Sequence, residues 1–138
     1  NPVLGEKKPG SVGLPLLNVE VKIQGEDGNL LPQGDVGEIL VKGPNVMLGY
    51  LNMLDETNKT IINDWLYTGD LGYLDHEGYL FIVDRKKDMI ITRGLNVYPR
   101  EIEEVLYQHP AILEAAVIGY PDETRGEIVK AFIVLKNG

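Results

Sequence analysis

Short apolar runs alternate with polar positions through the first half of the chain, and glycine and proline break them at short intervals. With 16 Gly and 8 Pro in 138 residues, that rhythm predicts strands and turns rather than helices. Val19-Glu20-Val21-Lys22-Ile23 alternates with period two, which predicts a half-buried strand. Glu26-Asp27-Gly28-Asn29 follows as a turn, with Gly28 able to take positive φ. Glu38-Ile39-Leu40-Val41-Lys42 predicts a second strand, stopped by Gly43-Pro44. Residues 66–68 and 79–83 read as strands on either side of the turn Asp75-His76-Glu77-Gly78. Residues 58–63 are too short and too β-branched to assign.

The pattern changes after Asp88. Met89-Ile90-Ile91-Thr92 and Leu95-Asn96-Val97-Tyr98 can pair across Arg93-Gly94. Pro99 suits the first position of a helix because its φ is already fixed. Ile102, Val105 and Leu106 then recur at helical spacing, with Glu101, Glu103 and Glu104 on the other face. Those acids suit the positive end of the helix dipole. Pro110 closes the helix, and residues 112–118 and 129–135 predict two more strands. The fold class is therefore α+β: a β-rich subdomain, then a lobe with a small sheet of about three strands and one main helix starting near Arg100. The charged stretch 84–88 is the seam. It divides the chain into residues 1–84, a short hinge at 85–88, and residues 89–138.

A hydrophobic fraction of 43% is near the globular norm, so a core is expected in place of disorder. The net charge of −8 argues against nucleic acid and anionic membrane surfaces as partners. The longest basic cluster, Arg85-Lys86-Lys87, is flanked by Asp84 and Asp88. Without cysteine there is no disulfide, thiolate metal site or thiol nucleophile. Neither His76 nor His109 has a partner at metal-ligand spacing, so no metal site is expected. No apolar run approaches the ~20 residues of a spanning helix. The opening Asn1-Pro2 does not resemble a signal peptide, and the expectation is a cytoplasmic protein met as an excised or processed piece.

Two residues carry candidate chemistry. Asp70, after Thr68-Gly69, offers a carboxylate that can accept hydrogen bonds from the vicinal hydroxyls of a ribose. The alternative is an ordinary turn aspartate. Arg85 offers a planar fork for sugar hydroxyls or phosphate, and the alternative is a surface arginine. Glu38 reads as structural. Lys7-Lys8-Pro9-Gly10-Ser11-Val12-Gly13 lacks a phosphate-loop pattern and reads as a connector. The seven Tyr are not spaced as a stacking platform for bases.

The neighbours of these residues carry a resemblance. Gly37-Glu38-Ile39-Leu40-Val41-Lys42-Gly43-Pro44-Asn45-Val46-Met47-Leu48-Gly49-Tyr50, Trp65-Leu66-Tyr67-Thr68-Gly69-Asp70, Gly78-Tyr79-Leu80-Phe81-Ile82-Val83-Asp84-Arg85 and residues 89–104 stand in the order found in adenylate-forming enzymes. That superfamily holds acyl-CoA synthetases, beetle luciferases and the adenylation domains of peptide synthetases. The resemblance runs from about Lys8 to Gly138. Asp84-Arg85-Lys86-Lys87-Asp88-Met89 and Val97-Tyr98-Pro99-Arg100-Glu101-Ile102-Glu103 look most like medium- and long-chain fatty acyl-CoA synthetases.

The resemblance implies that Asp70 and Arg85 hold the ribose of ATP and of the acyl-adenylate, and that Ile82 lines the nucleotide pocket. It implies that Lys87 is the pivot between two half-reactions, and that Gly94 admits the pantetheine arm of CoA in the second. The β-rich subdomain would complete the family's large domain as a small distorted barrel. ATP, CoA and Mg2+ would serve the parent enzyme, with a fatty acid as substrate.

Other family parts have no match: the Ser/Thr/Gly-rich phosphate loop, the Tyr-Gly-x-Thr-Glu segment that serves phosphate and magnesium, and the near-terminal adenylation lysine. Lys130 and Lys136 do not stand in that lysine's context. Stabilising charge on the α-phosphate needs such cations and donors. The 138 residues are therefore expected to be inactive alone, with no catalytic residue of their own, and to self-associate through exposed apolar faces. Two alternatives stay open: a ligase of the same superfamily for aryl or short acids, and a non-catalytic module that binds adenylate or a partner protein. Two ribose contacts without a phosphate loop imply roughly millimolar nucleotide binding, about −4 kcal/mol.

Overall fold

In a computed structural model, residues 7–136 are described. Residues 1–6 and 137–138, where the outer ends of the expected domains fall, lie outside the described residues. The chain forms two compact units, Asn1–Ile82 and Val83–Gly138.

The first unit is built on a five-stranded sheet. It contains β1 (Glu20–Gln24), β2 (Gly37–Lys42), α1 (Leu54–Thr60), β3 (Ile61–Ile62), β4 (Trp65–Leu74) and β5 (Leu80–Arg85), and the unit boundary falls within β5. The sheet order is β1-β2-β4-β3, with β5 also pairing β4. β1 and β2 lie antiparallel, with Ile23 opposite Ile39, and both side chains are buried. Leu40, Leu71 and Tyr79 complete this core. The unassigned stretch 58–63 becomes the end of α1 and the two-residue β3. Asn63 and Asp64, at φ 52° and 66°, then reverse the chain so that Ile62 pairs with Trp65. Tyr73 stacks on Phe81 across the β4–β5 turn, with ring centroids 5.0 Å apart. The connector is pinned at this end: Gly13 bridges Leu80, and Lys8 donates to Asp75 and Glu77.

The second unit holds β6 (Ile90–Thr92), β7 (Leu95–Val97), α2 (Pro99–Tyr107), β8 (Ile112–Asp122) and β9 (Gly126–Leu135). Its sheet has four strands, one at each of the four segments whose pattern predicts a strand, in the order β7-β6-β9-β8. Ile90, Ile112 and Val117 are among its buried side chains, and α2 packs on β8. The packed face of α2 differs from the anticipated one. Pro99 is buried and Ile102, Glu103 and Leu106 are half-buried, while Val105 is 65% exposed. Glu103 turns inward because its carboxylate accepts a hydrogen bond from the Val117 amide at 2.8 Å. The tyrosine hydroxyl at Tyr107 donates to the Ala115 carbonyl at 3.2 Å and tethers the last turn of the helix.

Candidate functional site

Asp70 stands in an interruption of the sheet. β2 and β4 pair with Glu38 opposite Leu71 and Leu40 opposite Tyr67. Between those pairs β2 contributes Ile39 alone, and β4 contributes Thr68, Gly69 and Asp70. The segment anticipated as a turn is thus a bulge inside a strand of ten residues. Bulges re-aim side chains, often beside functional sites. Gly69 takes φ 72°, a left-handed conformation that costs glycine no Cβ clash. The Thr68 hydroxyl donates to the Ile39 carbonyl at 2.8 Å and accepts from the Asp70 amide at 3.1 Å. From behind, the buried Glu38 carboxylate accepts from the Gly69 amide at 3.3 Å. Three polar groups therefore hold the backbone that presents the half-buried Asp70, and Glu38 has the structural place anticipated for it.

Ile82 lies on β5, the strand paired with β4, and is 38% exposed. Asp70 and Ile82 so belong to neighbouring strands of the first unit. The other three candidates belong to the second. Arg85 ends β5 with an exposed side chain. The residues after it form a turn, because the Asp88 and Met89 amides both donate to the Arg85 carbonyl, at 3.0 and 3.2 Å. Lys87 is exposed within that turn and lines a concavity of about 520 Å³. Gly94 and Arg93 form the two-residue loop of the β6–β7 hairpin, at φ 77° and 51°. Positive φ at both loop positions is the type I′ requirement. Nothing lies within 4 Å of where a Gly94 Cβ would sit, so packing within the chain does not demand a glycine there.

Three carboxylates of the second unit were not anticipated. Asp84, 9% exposed, accepts from the Arg85 amide at 2.7 Å and from the Arg100 amide at 3.0 Å. Arg100 is the second residue of α2, and Tyr98 at the N-cap supplies no side-chain cap. Asp84 does the capping from outside the helix. Glu103 ties α2 to β8, as above. Glu127 of β9 accepts from the Ile91 amide of β6 at 2.8 Å. The sequence holds one clue: a tyrosine before Pro99 cannot cap, so the helix start needs an acceptor from elsewhere. Which acceptor arrives is a tertiary matter. Among the described residues no three His, Cys, Asp or Glu side chains gather as a metal site.

Comparison with known proteins follows the same outline. The family described as AMP-binding enzyme matches residues 2–51, and the AMP-binding enzyme C-terminal domain matches residues 101–138. A long-chain-fatty-acid–CoA ligase of Bacillus subtilis is 52% identical over 139 residues, covering 100% of this chain and 25% of that protein. A 2-succinylbenzoate–CoA ligase of Bacillus cytotoxicus is 51% identical over 127 residues, covering 92% of this chain and 26% of that protein. Among solved structures, the o-succinylbenzoate CoA synthetase of Bacillus subtilis with its acyl-adenylate intermediate superposes with a TM-score of 0.88 at 47% identity. It covers 95% of this chain and 27% of that one. The same enzyme with ATP and magnesium ion gives a TM-score of 0.86 at 47% identity, with the same coverage of 95% and 27%. The chain spans about a quarter of the length of the curated relatives it matches.

Proposed function

The chain belongs to the adenylate-forming superfamily, and from that premise we propose that it is the nucleotide-sugar and pivot region of an AMP-forming acid–CoA ligase. The observation that carries the reading is the bulge at Thr68, Gly69 and Asp70. It fixes the backbone from which the Asp70 side chain projects. A carboxylate so presented accepts from both hydroxyls of a ribose, and charge-assisted bonds of this kind are roughly twice as strong as neutral ones. Arg85 adds a cationic fork on the same sugar, and Ile82 an apolar wall against the base. Residues 1–84 close the large domain and 89–138 belong to the mobile C-terminal domain. Residues 85–88 are the hinge, with Lys87 the residue whose torsions change.

Chemistry at the α-phosphate needs charge stabilisation, and none of the five candidate residues supplies it. The 138 residues alone are therefore proposed to be inactive. ATP, CoA and Mg2+ serve the parent protein. We assign the acid to the fatty acids, on the 84–89 and 97–103 motifs. The aryl alternative has a specific observation in its favour, since the two ligase types match at 52% and 51% identity. Residues shared so evenly are common machinery, and the acid pocket lies outside them. No helix among the described residues is long and apolar enough to cross a membrane. We place the parent in the cytoplasm on the absence of cysteine from these 138 residues.

The test is carboxylate-dependent ATP–pyrophosphate exchange by the complete reading frame that carries these residues, across acids from acetate to palmitate. Exchange peaking on medium or long chains supports the fatty acid assignment. A peak on aryl acids moves it to the second reading, and no exchange with any acid rejects the ligase. Carboxylate-dependent AMP release by the pure 138-residue chain, free of contaminating ligase, would refute its inactivity. Ile118, Tyr120, Phe132 and Val134 are all exposed on β8 and β9, and self-association of the isolated chain follows. A monomeric mass in light scattering across micromolar concentrations rejects it.

A further inference from the structure

The β6–β7 hairpin that carries Gly94 joins the rest of its sheet through a very short ladder near its loop. Among the described residues β6 pairs with β9 only at Thr92 and Gly126, and the Arg93 amide donates to the Arg125 carbonyl at 2.9 Å. One residue further along β6 a side chain takes over from the ladder. Ile91 lies one step from the loop-closing pair Thr92–Leu95. In an antiparallel pair its amide then points away from β7, and it donates to Glu127 Oε2 at 2.8 Å.

The carboxylate reaches that amide by lying against Gly119 of β8. A Cβ on Gly119 would overlap Glu127 Oε1 and come within 2.9 Å of its Cδ. Gly119 and Glu127 both line the concavity of the second unit. A bare backbone on β8, a carboxylate on β9 and an amide on β6 therefore fix the angle at which the hairpin leaves the sheet. Gly94 stands three residues beyond Ile91 on a stiff two-residue loop, so a tilt at Ile91 is carried to the loop.

We propose that Glu127 is a positioning residue for the Gly94 loop, seated by Gly119 and specific to the half-reaction that the loop serves. The proposal rests on the role assigned to Gly94 under the proposed function. Misplacing a reactant-positioning group by about 1 Å costs up to about a hundredfold in rate.

The experiment uses the complete reading frame that carries these residues and measures the two half-reactions apart. ATP–pyrophosphate exchange reads the first, and thioester formation from preformed acyl-adenylate and CoA reads the second. Glu127→Ala and Gly119→Ala are expected to slow the second about tenfold or more and to leave the first within about twofold. Glu127→Gln keeps an acceptor oxygen and restores most of the rate. In the 138-residue chain, amide exchange at Ile91 accelerates in Glu127→Ala. Gly94→Val is the control that separates the two layers of argument. If it blocks thioester formation while Glu127→Ala does not, the positioning role is overturned. Equal loss of both half-reactions in Glu127→Ala overturns it as well, as a general structural effect. If Gly94→Val has no effect, the loop has no part in the second step and both readings fall.

Discussion

The Asp84 carboxylate accepts a hydrogen bond from the Arg100 amide at 3.0 Å, across sixteen residues of chain. Its other oxygen takes the Arg85 amide. One buried side chain therefore closes a loop that contains both the Lys87 turn and the Gly94 hairpin. It also starts a helix that has no cap of its own. A torsional change at Lys87 has to open the Asp84–Arg100 bond or be compensated by other torsions between those two residues.

Asp84→Ala leaves two backbone amides without their acceptor. The expected loss is about 1–3 kcal/mol for the second unit. Asp84→Asn, which keeps one acceptor oxygen, loses less. Urea unfolding reads the difference, and amide exchange at Arg100 should quicken. An unchanged midpoint in Asp84→Ala rejects the capping role.

Two glycines of β4 should respond differently to the same change. Around Gly69 there is open space, so Gly69→Ala is penalised only by its φ of 72°, at roughly 1–2 kcal/mol. Gly69→Asn recovers part of this, because asparagine visits that region more readily. A Cβ on Gly72 would overlap the Phe81 carbonyl oxygen and lie 2.8 Å from Ile39 Cδ1. Gly72→Ala should sit at or above the upper end of overpacking costs, about 3 kcal/mol. Equal penalties in urea unfolding would refute the distinction.

The Lys8–Asp75 pair sets a pH window. The hydrogen bond from Lys8 holds the Asp75 carboxyl below its ordinary range, and the same bond holds the Lys8 ammonium above its own. For Asp75 the stabilisation is present above the unfolded value, ~3.9, and is lost as pH falls through the lower folded value. For Lys8 it is present below ~10.4 and is lost as pH rises through the higher folded value. Lys8→Met should thus lower stability by a constant amount between roughly pH 5 and 9, with the gap closing in acid and in strong alkali. A gap that is flat at all pH values counts against the pair.

Arg93 carries a side chain at φ 51° where the loop favours Asn-Gly. Arg93→Asn should stabilise the β6–β7 hairpin by about 0.5–1 kcal/mol. Thermal unfolding of the isolated chain reads this, and a lower midpoint rejects the type I′ assignment.

What was legible in the sequence is what depends on neighbours along the chain. Alternation at 19–23 and the stop at Gly43-Pro44 place β1 and β2 to within a residue. Pro99 marks the start of α2. What was not legible depends on partners far away. β3 exists because Asn63 and Asp64 fold Ile61 and Ile62 back onto Leu66 and Trp65. The periodicity of α2 allows either Val105 or Glu103 to face inward, and the Val117 amide decides for Glu103. Thr68-Gly69-Asp70 reads locally as a turn. Only the count of residues on the opposing strand shows that the chain does not reverse there. Asp84 and Glu127 gave no local signal, because each serves an amide in another element.

Three residues opposite one leave β4 two longer than its partner, and two is the period of side-chain alternation in a strand. Tyr67 before the interruption and Leu71 after it consequently stay in phase with Leu40 and Glu38. A surplus of one would have turned Leu71 out of the core and every later residue with it. The segment behaves as a parenthesis in the strand. Its chemistry can be rewritten without editing the text on either side, so long as whole pairs of residues come and go.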